Sequence, residues 1–134
     1  EMKEGVRRWN PTVKFRFVSS KASKGIHIKT GNLSGWTCAD AAPFVKAGGW
    51  DDAEITHCVI RVDKRGQCTD PLFQIRAITH EVGHCLGFIG HTTDGGLMDS
   101  DAGALMSGLL TSRVRKMIKL LYSLPPGTNI KPYL

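Results

Sequence analysis

A chain of 134 residues, 41% hydrophobic and 22% charged, is long enough to bury one core and too short for two, so residues 1–134 read as a single globular domain. No stretch approaches the roughly 20 apolar residues of a membrane span, and no signal peptide stands in it. The net charge of +6 is uneven, with eight Lys/Arg against two Glu over 1–29, five against ten acids over 30–110 and five against none over 111–134. These bases fall on the outward sides of the expected strands and last helix and are not interleaved with aromatics. That pattern excludes nucleic acid as the partner and leaves solvated faces with weak attraction to acidic substrates or surfaces.

Taken in order, Glu1 to Trp9 reads as the end of a helix whose beginning is missing, as if a leader, a prodomain or a first strand and helix had been removed. Asn10-Pro11 stops it, because a residue before proline avoids the helical region. Val13, Phe15 and Phe17 then alternate with Lys14 and Arg16, which predicts a strand with one buried face. After a polar loop, Ile26-His27-Ile28-Lys29 alternates again and turns His27 to solvent. Thr30 to Gly35 is a turn. Trp36, Thr37, Cys38, Ala39 and Asp40 form a short strand closed by Pro43, followed by Gly48-Gly49. Asp51 and Asp52 invite Ca²⁺, but two adjacent acids make a poor cage. Ile55 to Val62 is the most strand-like run, with Cys58, Ile60 and Val62 on one face and His57 and Arg61 on the other.

Asp63 to Gly66 is expected to turn. Asp70 is a good N-cap with Pro71 at the first helical position, and Ile75, Ile78, Val82, Cys85, Leu86 and Ile89 recur at helical spacing. The helix so predicted carries His80, Glu81 and His84 off that apolar face. His80 and His84 stand one turn apart, so both imidazoles can bind one Zn²⁺, while Glu81 lies beside them without ligating it. Gly87 tolerates positive φ and ends the helix, and His91 returns from the loop as third ligand, leaving a fourth position to water. Asp94, Asp99 and Asp101 are the rival ligands, although loop carboxylates beside Gly are more often turn formers. No Glu follows Glu81, which removes a Glu third ligand. An irregular connection follows, with Leu105-Met106 repeating Leu97-Met98. Thr111 or Ser112 then caps a helix with Val114, Met117, Ile118, Leu121 and Leu124 inward and Arg113, Arg115, Lys116 and Lys119 outward. Pro125-Pro126-Gly127 ends it, before an extended tail.

Four cysteines fit a secreted protein with up to two disulfides, in three possible pairings. Cys58 and Cys68 flank the turn at 63–66 and would face each other across a hairpin. Cys85 either bridges Cys38 or stays a buried free thiol. There is no CxxC, which argues against a structural cysteine-zinc site.

The run from His80 to Met98 resembles the motif of the metzincin zinc endopeptidases, HExxHxxGxxH followed by a Met-turn. His91-Thr92-Thr93-Asp94-Gly95-Gly96-Leu97-Met98 is most similar to the matrixin type. One residue is added, so the pattern here is HExxHxxGxxxH, with Gly90 where the family has its third His. The following loop is one residue shorter, which leaves the span from His80 to Met98 unchanged. The resemblance implies an α/β (α+β) domain: a twisted mixed sheet of four or five strands, the motif helix beneath it, and a small C-terminal part ending in a helix. It implies zinc-dependent hydrolysis of a protein or peptide substrate by a secreted monomer, with Glu81 as general base, His80, His84 and His91 as ligands and Met98 as the Met-turn. Trp36 to Asp40 would be the edge strand that holds an extended substrate by strand addition. Ser100 replaces the tyrosine that some metzincins use as an extra ligand. Ser112-Arg113-Val114 stands where matrixins place adjacent aspartates for a matured N-terminus, so the likeness does not extend to that ion pair. The alternative function is a zinc- or peptide-binding domain of the same fold in which the altered spacing has impaired turnover.

Overall fold

The computed structural model describes residues 1–19, 23–35, 37–45, 55–100, 108–125 and 128. Trp36, Gly48-Gly49, Asp51, Asp52, Asp101, Leu105-Met106 and the tail fall outside the described residues.

Helix α1 (Met2–Arg7) is followed by strands β1 (Gly25–Thr30), β2 (Ala39–Val45) and β3 (Ile55–Val62), a 3-10 turn at Gly66–Thr69, and helices α2 (Pro71–Cys85) and α3 (Ser112–Ser123). The described strands form one mixed sheet in the order β1-β3-β2. Its β1–β3 pairing is parallel, with Ile26 opposite Cys58 and Ile28 opposite Ile60, and its β2–β3 pairing is antiparallel, with Asp40 opposite Arg61. The architecture is therefore mixed α/β, with a small sheet on one side of the core and helices on the other.

β3 lies in the centre for a reason visible in its composition. Cys58, Ile60 and Val62 are all buried on one face, the period of two expected of a half-buried strand. They pack with Ile78, Val82, Cys85 and Leu86 of α2 and its C-cap, with Val6 and Trp9 from the N-terminal segment, and with Val114 and Ile118 of α3. α2 starts where expected: the Asp70 side chain accepts from the Phe73 N–H at 2.6 Å and Pro71 occupies the first turn. It ends at Gly87, whose φ of 100° is a conformation that side chains other than glycine's adopt at a cost. Thr111 caps α3 by accepting from the Val114 N–H.

Several expectations are corrected. The alternation at Val13, Phe15 and Phe17 does not become a strand. Val13 and Phe15 are half-buried while Lys14 and Arg16 are exposed, but the segment and β1 both line a cavity of about 550 Å³. Alternating burial makes a strand only where a neighbour supplies ladder bonds. The sheet thus has three strands among the described residues, below the four or five expected.

The second strand runs from Ala39 to Val45, later than 36–40. Pro43 lies within it and does not close it. The carbonyls of Cys38 and Phe44 accept from the Asp63 N–H and the Thr56 hydroxyl of the β3 side. The backbone groups of the odd residues between them turn to the opposite edge, where the N–H that proline lacks costs no ladder bond. Ile89, placed on the helix core face, is 51% exposed because the chain has already turned at Gly87, and Met117 is 41% exposed on the flank of α3.

The disulfides are Cys38–Cys68 and Cys58–Cys85, with Cα atoms 5.3 and 5.5 Å apart. Neither the Cys58–Cys68 pairing, nor a Cys85–Cys38 bridge, nor a free Cys85 occurs. Cys58 points to the core face of β3, straight at α2 and Cys85, whereas Cys68 sits in the 3-10 turn after the strand, beside the start of β2. One bridge ties sheet to helix and the other ties edge strand to turn. Two disulfides point to an oxidising, extracytoplasmic compartment. Among the described residues no helix is long and apolar enough to cross a membrane.

Candidate metal centre

α2 carries its chemistry on the face turned away from β3. His80 and His84 are one turn apart, and the chain that returns after Gly87 brings His91 to them. The Nε2 atom of His80 is 3.1 Å from that of His84 and 3.2 Å from that of His91. Among the described residues these three form a group able to hold a metal ion, with all ligand atoms within 4.8 Å of one another.

The second nitrogen of each helical histidine decides what the first can do. His80 Nδ1 lies 2.5 Å from the Leu97 carbonyl and His84 Nδ1 lies 2.7 Å from the Phe88 carbonyl. A carbonyl oxygen only accepts, so both Nδ1 atoms carry the proton and donate, and both Nε2 atoms present lone pairs. Lone pairs 3.1 Å apart repel unless a cation lies between them. A proton is disfavoured there: burial pushes the His80 imidazole down to about 4, against the Leu97 carbonyl, and burial lowers His84 as well. A metal ion satisfies all three nitrogens. Ligand bonds of about 2.0–2.1 Å at tetrahedral angles require nitrogens about 3.3–3.4 Å apart, close to the distances found, so the donor set fits.

The added residue before His91 is absorbed on the surface. Ile89, Gly90 and His91 are all exposed, a side chain at Gly90 would meet nothing within 4 Å, and Gly90 does not take positive φ. Of the rival carboxylates, Asp94 and Asp99 are engaged in the loop. Asp94 accepts from the Thr92 and Thr111 hydroxyls and the Gly96 N–H, and Asp99 accepts from the Gly95 N–H. They shape the loop between His91 and Met98, which is closed by the Thr92 N–H donating to the Met98 carbonyl at 2.7 Å.

Met98 is fully buried beneath α2. A methyl group at Gly83 would lie 2.5 Å from its sulfur and 3.0 Å from the Trp9 ring, so glycine is what lets the loop approach the helix.

Glu81 lies between the histidines and the edge strand. Burial is the main cause that raises its carboxyl to about 8, the nearby Asp40 carboxylate adds to the rise, and the Ala41 N–H opposes it. Asp40 is itself engaged by Arg61 directly across the sheet, through both carboxylate oxygens. Of the residues expected to meet substrate, Ala39 and Asp40 lie in β2, Thr37 and Cys38 lead into it, and Trp36 is outside the described residues. His27 and His57 stand apart from the cluster: their rings meet edge to face, and His57 stacks on Phe44 at 4.3 Å.

Sequence reasoning missed four things here: the Leu97 and Phe88 carbonyls, the Ala41 N–H and the Asp40–Arg61 pair. Backbone groups leave no mark in composition. The ion pair becomes legible only once the β2–β3 register is known.

Comparison of the chain with protein-family models, with characterised proteins and with solved structures finds no match in any of the three.

Proposed function

We propose that this chain is the catalytic domain of a secreted zinc-dependent endopeptidase of metzincin type. The observation that carries the reading is the convergence of three imidazole nitrogens, two with their protons fixed on the opposite side of the ring, beside the buried carboxyl of Glu81. His80, His84 and His91 would hold the ion. Three neutral nitrogen ligands with room for a fourth group are the donor set of a catalytic zinc site. Zinc, when bound, supplies Lewis-acid polarisation of the scissile carbonyl.

The rest is the work of the chain. Glu81 takes a proton from the attacking water on a carboxylate oxygen and returns it to the leaving amine nitrogen. The ion would act on Glu81 against the effect of burial, because a cation one residue away favours the charged carboxylate that a general base requires. The Ala41 N–H orients that carboxylate. The outward backbone groups of β2 give an extended peptide an edge to pair with, and the Cys38–Cys68 bridge holds that edge in place beside the turn that precedes α2. Met98 and Gly83 support the reading by packing the His91 loop against the helix without contributing a ligand atom.

The test is cleavage of casein or a peptide library. Hydrolysis abolished by a chelator and restored by zinc is expected. Stoichiometric zinc binding with no cleavage of any peptide would replace the reading with that of a zinc- or peptide-binding domain.

A further inference from the structure

Helix α3 and the segment behind α1 meet on one side of the fold. Arg115 of α3 donates to the Thr12 hydroxyl at 2.9 Å, to the Arg8 carbonyl at 2.8 Å, and to the Trp9 and Asn10 carbonyls at 3.4 Å. The segment behind α1 is thereby fixed to the side of α3. Lys3 and Arg7 of α1 both lie 5.7 Å from the ring of the exposed Phe17.

α3 contains four bases and no acid. Its inner face is already used, with Val114 and Ile118 in the core and Leu121 against Gly87. Arg113, Lys116, Met117 and Leu120 follow one another at helical spacing, so they share a face. All four are exposed, Leu120 at 63%, and so is Lys119, which flanks the face three residues after Lys116. Among the described residues Arg113, Lys116 and Lys119 make no ion pair. A face kept only for solubility mixes both signs of charge and few large apolar side chains. This one combines bases alone with exposed Met and Leu.

We propose that this face of α3 docks on an anionic phospholipid bilayer, the bases meeting lipid headgroups and Met117 and Leu120 entering the boundary with the acyl chains. Both halves of the face are used in this way. A soluble polyanion would use the cations and leave the apolar pair without a role.

The test is sedimentation of the full chain with vesicles of phosphatidylcholine alone and of phosphatidylcholine with phosphatidylserine. Binding to the anionic vesicles only, weakening as salt rises, is expected. Each cation removed should cost roughly five-fold, so Arg113→Gln, Lys116→Gln and Lys119→Gln together should cost about a hundredfold. Met117→Ser with Leu120→Ser should also weaken binding and leave the remainder more sensitive to salt. Arg115 is kept, since it fixes the N-terminal segment. The wild-type comparison of the two lipid compositions stands even if a variant folds poorly. No sedimentation with anionic vesicles at low salt overturns the proposal. So does binding unchanged by the triple substitution, or capture by heparin with the apolar pair making no difference.

Discussion

His91 carries more of the argument than any other side chain, because a single added residue precedes it and its ring still reaches the two helical histidines. On the proposed three-nitrogen site, His91→Ala should lower zinc affinity by orders of magnitude, as metal titration would read. Asp94→Ala should leave the metal bound, since its carboxylate is spent on Thr92, Gly96 and Thr111. Zinc retained by His91→Ala and lost by Asp94→Ala would move the third ligand to the loop carboxylate. At Glu81 the expected separation runs the other way. Glu81→Gln should keep zinc and lose hydrolysis by about a hundredfold or more, the usual worth of a positioned base. Loss of both would make Glu81 a ligand.

At the scale of elements, α2 is a core wall on one face and carries the three-histidine group's two helical members on the other, and its course was legible in its sequence. The Asp70-Pro71 start, the apolar recurrence at Ile78, Val82 and Cys85, and the glycine stop at Gly87 are local signals that the fold respects. β2 was less legible, because alternation that includes a proline looks like a strand end until the edge position is known. Val13 to Phe17 failed for the opposite reason: its pattern is that of a strand, and strand formation depends on a partner that no local pattern encodes. The cysteine pairing was hidden in the same way, since it follows from which face of β3 meets α2. Close packing between elements leads to a further test. Gly83→Ala puts a methyl into Met98 and Trp9, and overpacking of this kind costs about 1–3 kcal/mol. A melting curve should show that loss with zinc bound and with zinc removed. Unchanged stability would mean that the loop carrying Met98 is not packed as described.

Over the whole molecule, two groups of the site contribute to how stability depends on pH, and they act in opposite directions. His80 has its folded value lowered from 6.5 to about 4, so between those values the unfolded chain binds the extra proton, and stability falls as pH drops through that window. The lowered values of His84 and, further into acid, of Asp63 act in the same sense. Glu81 has its folded value raised from 4.5 to about 8, so the folded chain binds the extra proton, and the stability this contributes is lost as pH rises through 8. The two effects oppose each other between about 4.5 and 6.5, and above 6.5 only Glu81 is left. The metal-free chain should therefore lose stability from pH 6.5 to just above 8. Glu81→Gln cannot titrate and should remove that decline. Saturation with zinc should remove it too, because the ion favours the charged carboxylate that burial resists. Melting temperatures across this range, in chelator and in zinc, compare the three directly. An equal decline in the wild type and in Glu81→Gln would place its origin outside the metal centre.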